Sequence, residues 1–142
     1  RIANKNMNQI ERLQYTSKAT GPMGTLALFN LLNAARVRNM ELGITGLLIY
    51  VDGCFTQCIE GAAVSIDLLW TSLQNDPRHT DIELSDRSKI ETRRYPNWTM
   101  AFSSYRYLNS LNMPGFFPID QPGFNDLQLL TGKVVKHRSA GR

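Results

Sequence analysis

The chain has 142 residues, 42% of them hydrophobic and 20% charged, a balance that supports one globular core and leaves too little length for two. Its longest apolar run falls far short of the roughly 18 residues a membrane span needs, and no secretory pattern opens it, so a cytoplasmic protein without membrane contact is expected. The formal charge of +4 sits outside residues 10–104, which hold nine Lys and Arg against ten Asp and Glu; solvated basic tails explain it better than a nucleic-acid face.

Arg1 stands first instead of a methionine, which leaves a fragment and a tagged chain both open, and residues 1–9 read as a tail or linker. Residues 10–17 form a short strand in which Leu13, Tyr15 and Ser17 share one face. Gly21-Pro22 breaks the chain. From about Met23 to Met40 the period becomes helical, with Leu28, Leu32, Ala35 and Asn39 on one stripe. Asn39 thus ends an apolar face, and Gly43 is a suitable helix terminator.

Residues 44–51 are almost continuously apolar or β-branched, the mark of a strand covered on both faces. Asp52-Gly53 then signals a hairpin, whose second strand runs Phe55-Thr56-Gln57-Cys58-Ile59-Glu60-Gly61. Gln57 falls on the face of Phe55 and Ile59, where a hydrocarbon would be ordinary. An amide buried there without partners costs about 1–3 kcal/mol, so a polar side chain or a ligand must meet it.

The only cysteines, Cys54 and Cys58, share a face of this strand without disulfide geometry, and no Cys/His set accompanies them to hold a metal. A second helix spans about Ala63 to Asn75, with Ile66, Leu69, Trp70 and Leu73 inward, and Asp76-Pro77 stops it. Two more strands are expected near Ile82–Leu84 and Asn97–Ser103, the latter with Trp98, Met100 and Phe102 on one face.

The order β-α-β-β-α-β-β implies an α+β, ferredoxin-like mixed sheet with two helices on one face. Right-handed crossovers place the first strand beside the third, making Tyr15 and Gln57 neighbours. The other sheet face, with Thr16, Cys58 and Ala101, needs a cover, and residues 105–142 are expected to provide it or to mediate dimerisation. Turns are expected at Met113-Pro114-Gly115 and Gln121-Pro122-Gly123, and a short helix at Asn125–Thr131.

Tyr15, Gln57, Trp98 and Met100 are thereby expected together under the helices, with Asn39 above them. Singly, each has an ordinary core explanation. Together, Arg12-Leu13-Gln14-Tyr15-Thr16-Ser17, Asn39-x-x-x-Gly43-Ile44-Thr45-Gly46-Leu47-Leu48-Ile49-Tyr50, Phe55-x-Gln57-x-Ile59-Glu60-Gly61, Asp76-x-Arg78-His79 and Trp98-x-Met100 resemble the BLUF domains, flavin-based blue-light sensors. The resemblance covers residues 10–104.

The resemblance implies a non-covalent flavin between the helices, usually FAD, with FMN or riboflavin as alternatives. It assigns cofactor contacts to Tyr15, Asn39, Gln57, Arg78, His79 and Met100, with Asn39 on the pyrimidine edge. Tyr15 would be the photochemical tyrosine, giving an electron and a proton through Gln57, whose amide can act as donor and acceptor and exchange those roles. Trp98 and Met100 would carry the change outward along their strand, Trp98 also being a competing electron donor. Which of the two lies nearer the flavin stays open at this point, as does the orientation of Gln57.

Arg38, just before Asn39, is a charged occupant of a variable family position that either shapes the flavin rim or is solvated. Ile59 replaces the usual leucine. The implied protein is a photosensory domain and not itself an enzyme, a homodimer, with a separate effector or a fused output domain as partner. The alternative is an RNA-recognition-type sheet, which lacks here its Lys/Arg-Gly-Phe/Tyr signature. A small hydrolase finds no paired carboxylates, Cys/His dyad or metal cluster, and Glu60 reads as a strand-end residue or a loop anchor.

Overall fold

The computed structural model describes residues 9–109 and 111–119. Strand β1 (Ile10–Ala19) leads into helix α1 (Thr25–Leu42), hairpin strands β2 (Thr45–Val51) and β3 (Cys54–Ala62), helix α2 (Ala63–Gln74), strand β4 (His79–Ile90) and short strand β5 (Ala101–Ser103), followed by a 3-10 turn at Arg106–Leu108. The sheet order is β4-β1-β3-β2-β5. All pairings are antiparallel except β2 with β5. The α+β, ferredoxin-like topology read from the order of elements is therefore the one formed.

Each boundary has a local cause. Gly43, at φ 68°, closes α1 with its N–H turned back onto the last turn, and Asp52 and Gly53, at φ 51° and 80°, form the left-handed pair that a two-residue hairpin demands. Gly46 is required for another reason: a Cβ there would stand 2.0 Å from the Cys58 carbonyl oxygen. The strand β2 can approach β3 this closely only without a side chain at that point.

The core lies between the helices and one sheet face. Leu28, Leu32, Ala35 and Asn39 are the buried residues of α1, as the helical stripe predicted, and Ile66, Leu69 and Leu73 those of α2, Trp70 being only partly covered. They pack on Leu13, Tyr15, Leu48, Phe55 and Ile59. On the opposite face Leu47, Ile49, Val51 and Ala101 form a second cluster, covered by Tyr95, Trp98, Tyr105 and Ile119. Part of the expected cover thus does come from beyond residue 104, and part from the segment before β5.

Two expectations need correction. The strand expected near Ile82–Leu84 extends over twelve residues, His79–Ile90; it is a sheet edge, largely exposed, so it carries no apolar alternation to announce its length. The strand expected from Asn97 begins only at Ala101. Residues 91–100 run irregularly, so period-two alternation does not govern them, and Trp98 and Met100 go to opposite sides: Met100 to the helix-side core, Trp98 to the second cluster. The turn expected at Gln121-Pro122-Gly123 and the helix expected at Asn125–Thr131 lie outside the described residues. Among the described residues no helix is long and apolar enough to cross a membrane.

Candidate functional site

Central strands β1 and β3 run antiparallel with Tyr15 directly opposite Gln57. The Tyr15 hydroxyl donates to Gln57 Oε1 in a short, buried hydrogen bond, and Gln57 Nε2 donates to Met100 Sδ at 3.6 Å. The amide that lacked an obvious partner in the strand pattern therefore has one on each side. Tyr15 and Gln57 are each 3% exposed and Met100 is fully enclosed. The Tyr15 ring is held by Trp70 at 5.4 Å and His79 at 6.1 Å between centroids.

Tyr15 and Gln57 form one wall of a cleft that Arg38, Arg78, His79, Leu31, Leu48 and Phe55 help to line. The cleft opens to solvent at its mouth, and Ala35, Leu73 and Asp76 complete its lining. Polar groups converge on an apolar slot, the usual composition of a cofactor pocket.

His79 is locked in place. Its Nε2 lies 2.6 Å from the Leu73 carbonyl oxygen and its Nδ1 2.8 Å from Ser17 Oγ. A carbonyl only accepts, so Nε2 carries a proton, and in a neutral ring Nδ1 then accepts from the Ser17 hydroxyl. His79 thus meets the cleft through its ring and not through a free nitrogen. Arg78 forks onto Asp76 at 3.0 and 2.7 Å, and this pairing holds the Asp76 carboxyl below its ordinary range.

Arg38 and Asn39 end the buried stripe of α1. Asn39 is fully buried; its Nδ2 donates to the Thr99 carbonyl at 2.7 Å, which ties α1 to the segment carrying Met100. Its Oδ1, and the buried Nε of Arg38, have no hydrogen-bond partner among the described residues. Burial pulls the Arg38 pKa below its usual value. Arg38 lines the cleft wall and is partly covered there.

Of the residues singled out in the sequence, Tyr15, Gln57, Arg78 and His79 come together on the cleft wall, Met100 joins through Gln57, and Asn39 joins through Thr99. Trp98 does not. Its ring packs against Phe117 at 6.2 Å and under the Arg36 guanidinium at 6.0 Å, away from the Tyr15–Gln57 pair. Trp70 and Arg38 are neighbours of the site that the stripe patterns contained but did not distinguish from core and solvated face.

Burial raises the Tyr15 phenol pKa well above its ordinary value of about 10, with the Arg38 charge partly opposing. The native state thus holds this proton more tightly than the unfolded chain. The contribution to stability is complete below pH about 10 and is lost as pH rises beyond it, with a slope of up to about 1.4 kcal/mol per pH unit. Urea midpoints taken between neutral and alkaline pH should fall more steeply for the native chain than for Tyr15→Phe, and parallel curves would refute this assignment.

Among the described residues no cluster of His, Cys, Asp and Glu is arranged to hold a metal. The RNA-recognition alternative finds no support, since Tyr15 faces the helices and is buried.

Comparison with known proteins agrees with this geometry. The family described as BLUF, sensors of blue light using FAD, matches residues 10–101. The photoactivated adenylate cyclase subunit beta of Euglena longa is 39% identical over 97 residues, which make up 68% of this chain and 11% of that protein. A dark-state structure of BlrB, a BLUF protein, superposes with a TM-score of 0.68 at 32% identity, covering 92% of both chains. A bacterial light-regulated adenylyl cyclase gives a TM-score of 0.70 at 25% identity, covering 92% of this chain and 35% of that one. The chain thus spans a small part of the cyclases it matches.

Proposed function

The chain belongs to the BLUF family of flavin-based blue-light sensors, and from that premise we propose that the cleft between α1 and α2 seats FAD and that Tyr15, Gln57 and Met100 form its light-responsive relay. The observation that carries this reading is the buried sequence of contacts from Tyr15 Oη to Gln57 Oε1 on the cleft wall and on from Gln57 Nε2 to Met100 Sδ behind it. The donor set fits the ring. Arg38 Nε is a donor and Asn39 Oδ1 an acceptor, both buried without partners, the complement of a heterocycle edge that offers a carbonyl and an N–H. Leu31, Leu48 and Phe55 provide apolar walls.

When bound, flavin supplies a chromophore that becomes a strong one-electron oxidant on absorbing blue light. Tyr15 is the electron source in contact with Gln57, and its hydroxyl proton already points at Gln57 Oε1. A proton passed along that bond to Oε1 would be balanced by one leaving Gln57 Nε2 toward the reduced ring, and the return of proton and electron to Tyr15 would leave the amide to re-form its contacts. If Gln57 reverses, a carbonyl oxygen replaces an N–H opposite Met100 Sδ; a thioether accepts weakly and cannot donate, so the contact is lost. Met100 is therefore where a change in Gln57 leaves the site. Trp98 packs in the cluster on the other sheet face, against Phe117.

We further propose that an effector domain or protein receives the change, as in the light-regulated cyclases the chain resembles. The test is the visible spectrum of the purified chain before and after blue light. A flavin spectrum that shifts reversibly to the red is expected; a chain that stays colourless when offered FAD would remove the reading.

A further inference from the structure

Arg36 occupies a position that the photochemical reading does not use. Its Nε donates to the Met100 carbonyl at 2.9 Å and one terminal nitrogen donates to the Pro114 carbonyl at 2.5 Å, while its guanidinium carbon lies 6.0 Å from the centre of the Trp98 ring. One side chain of α1 thus holds the residue that touches Gln57 and a residue of the chain beyond β5, two segments with no sequence relation to each other.

The segment after Pro114 is laid along β5. The Phe102 N–H donates to the Gly115 carbonyl at 2.9 Å, the Phe117 N–H to the Phe102 carbonyl at 2.8 Å and the Ile119 N–H to the Ser104 carbonyl at 3.0 Å. Phe102 and Phe116 form a parallel bridge, with their rings 5.7 Å apart. Residues 115–119 therefore extend the sheet beyond β5. Arg36 anchors the residue before β5 and the residue before this added strand.

Gly115 closes the junction. It has φ +74°, and a Cβ on it would lie 2.8 Å from the Trp98 ring and 2.9 Å from the Arg36 terminal nitrogen. Trp98, Arg36 and the extension are packed to contact, so none can shift alone. A guanidinium suits the task because its planar fork sends hydrogen bonds in two directions while its face stacks on an indole.

We propose that Arg36 is the positioning residue that couples the Gln57–Met100 contact to residues 114–119, which leave the sensor as its output strand. The proposal rests on the blue-light reading and adds the exit route to it. Displacement of the Met100 backbone pulls on the Arg36 Nε bond, and the same side chain cannot then hold the Pro114 carbonyl and Trp98 unchanged. The hold of the extension on β5 follows the state of Gln57, and Trp98 acts as part of the exit and not as part of the photochemistry.

The test compares amide hydrogen exchange at Phe117 and Ile119, in the dark and under blue light, in the flavin-loaded chain and in Arg36→Met, with the absorption change recorded on the same samples. In the native chain illumination should speed exchange at these two amides about tenfold, the size of a local opening shifted by roughly 1.4 kcal/mol. In R36M the red shift persists, while both amides exchange fast already in the dark and respond no further to light. Gly115→Ala, which presses on the Arg36 and Trp98 side chains while leaving both residues in the sequence, should give the same pattern and serves if R36M fails to fold. A light response at Phe117 and Ile119 that survives in either variant, or none in the native chain despite its red shift, overturns the coupling. Absence of the red shift in the native chain would remove the blue-light reading itself.

Discussion

Tyr15→Phe is expected to bind flavin at the native stoichiometry and to lose the light-induced red shift. The substitution deletes one oxygen. The ring stays wedged against Trp70 and His79, and the cleft keeps Arg38 and its apolar walls, so cofactor binding has no reason to fall. What disappears is the hydroxyl that donates to Gln57 Oε1. The amide is left with a buried acceptor unpaired, at a cost of about 1–3 kcal/mol, and no readily oxidised phenol remains in contact with it. Spectra before and after illumination, with flavin content measured on the same sample, read both halves of the prediction. A variant that shifts as the native chain does would exclude Tyr15 as electron source. One that comes out free of flavin would instead show that the hydroxyl serves to build the cleft. Gln57→Leu, which removes the bridge and keeps the phenol, should likewise lose the shift.

The parts of this site legible in the sequence are those whose partners lie on half-buried regular elements. Alternation placed Tyr15 and Gln57 inward, and the crossover rule set their strands side by side; the register then brings them opposite each other. The stripe of α1 gave Asn39 a buried end position for the same reason. Trp98 was misplaced because alternation was extended past the start of β5 into irregular chain. The length of β4 was hidden because an edge strand exposed on both faces needs no apolar pattern. Arg36 and Arg38 sit on one α1 segment with nothing in their spacing to separate them. Only the fold reveals that one faces the cleft and the other reaches Met100 and Pro114, whose distance along the chain no local rule spans.

Glu60 shows how the irregular segment before Met100 is held at all. Its side chain is fully buried, on the sheet face opposite Gln57, and forms a two-pronged pair with Arg12 at 2.9 and 2.7 Å. It also accepts the backbone N–H groups of Arg94 and Tyr95, each at 3.0 Å. Arg93 adds bonds to the Gly43 carbonyl and Thr45 Oγ1. No strand ladder runs through residues 91–100, so the carboxylate takes its place and keeps two backbone donors from being stranded. Of the two readings the sequence left open for Glu60, strand-end residue or loop anchor, its bonds to the Arg94 and Tyr95 amides are those of a loop anchor.

Glu60→Ala should therefore be the most damaging single change in the sheet, costing about 3–5 kcal/mol out of a total stability of about 5–15 kcal/mol. The loss arises less from the attraction removed than from what remains: a guanidinium 17% exposed and two N–H groups without an acceptor. The urea midpoint should drop with little change in slope. Because the penalty comes from uncompensated groups, Arg12→Met combined with Glu60→Leu should recover part of it, as replacing both members of a buried pair commonly does. Additive losses in that double variant would mean that Glu60 acts mainly through the Arg94 and Tyr95 amides, and Arg12 only as its neutralising neighbour. In either case the Tyr15–Gln57 pair lies on the other face of β3, so whatever fraction of Glu60→Ala folds should still show the red shift; loss of the shift in folded protein would mean that the clamp also sets the geometry at Met100.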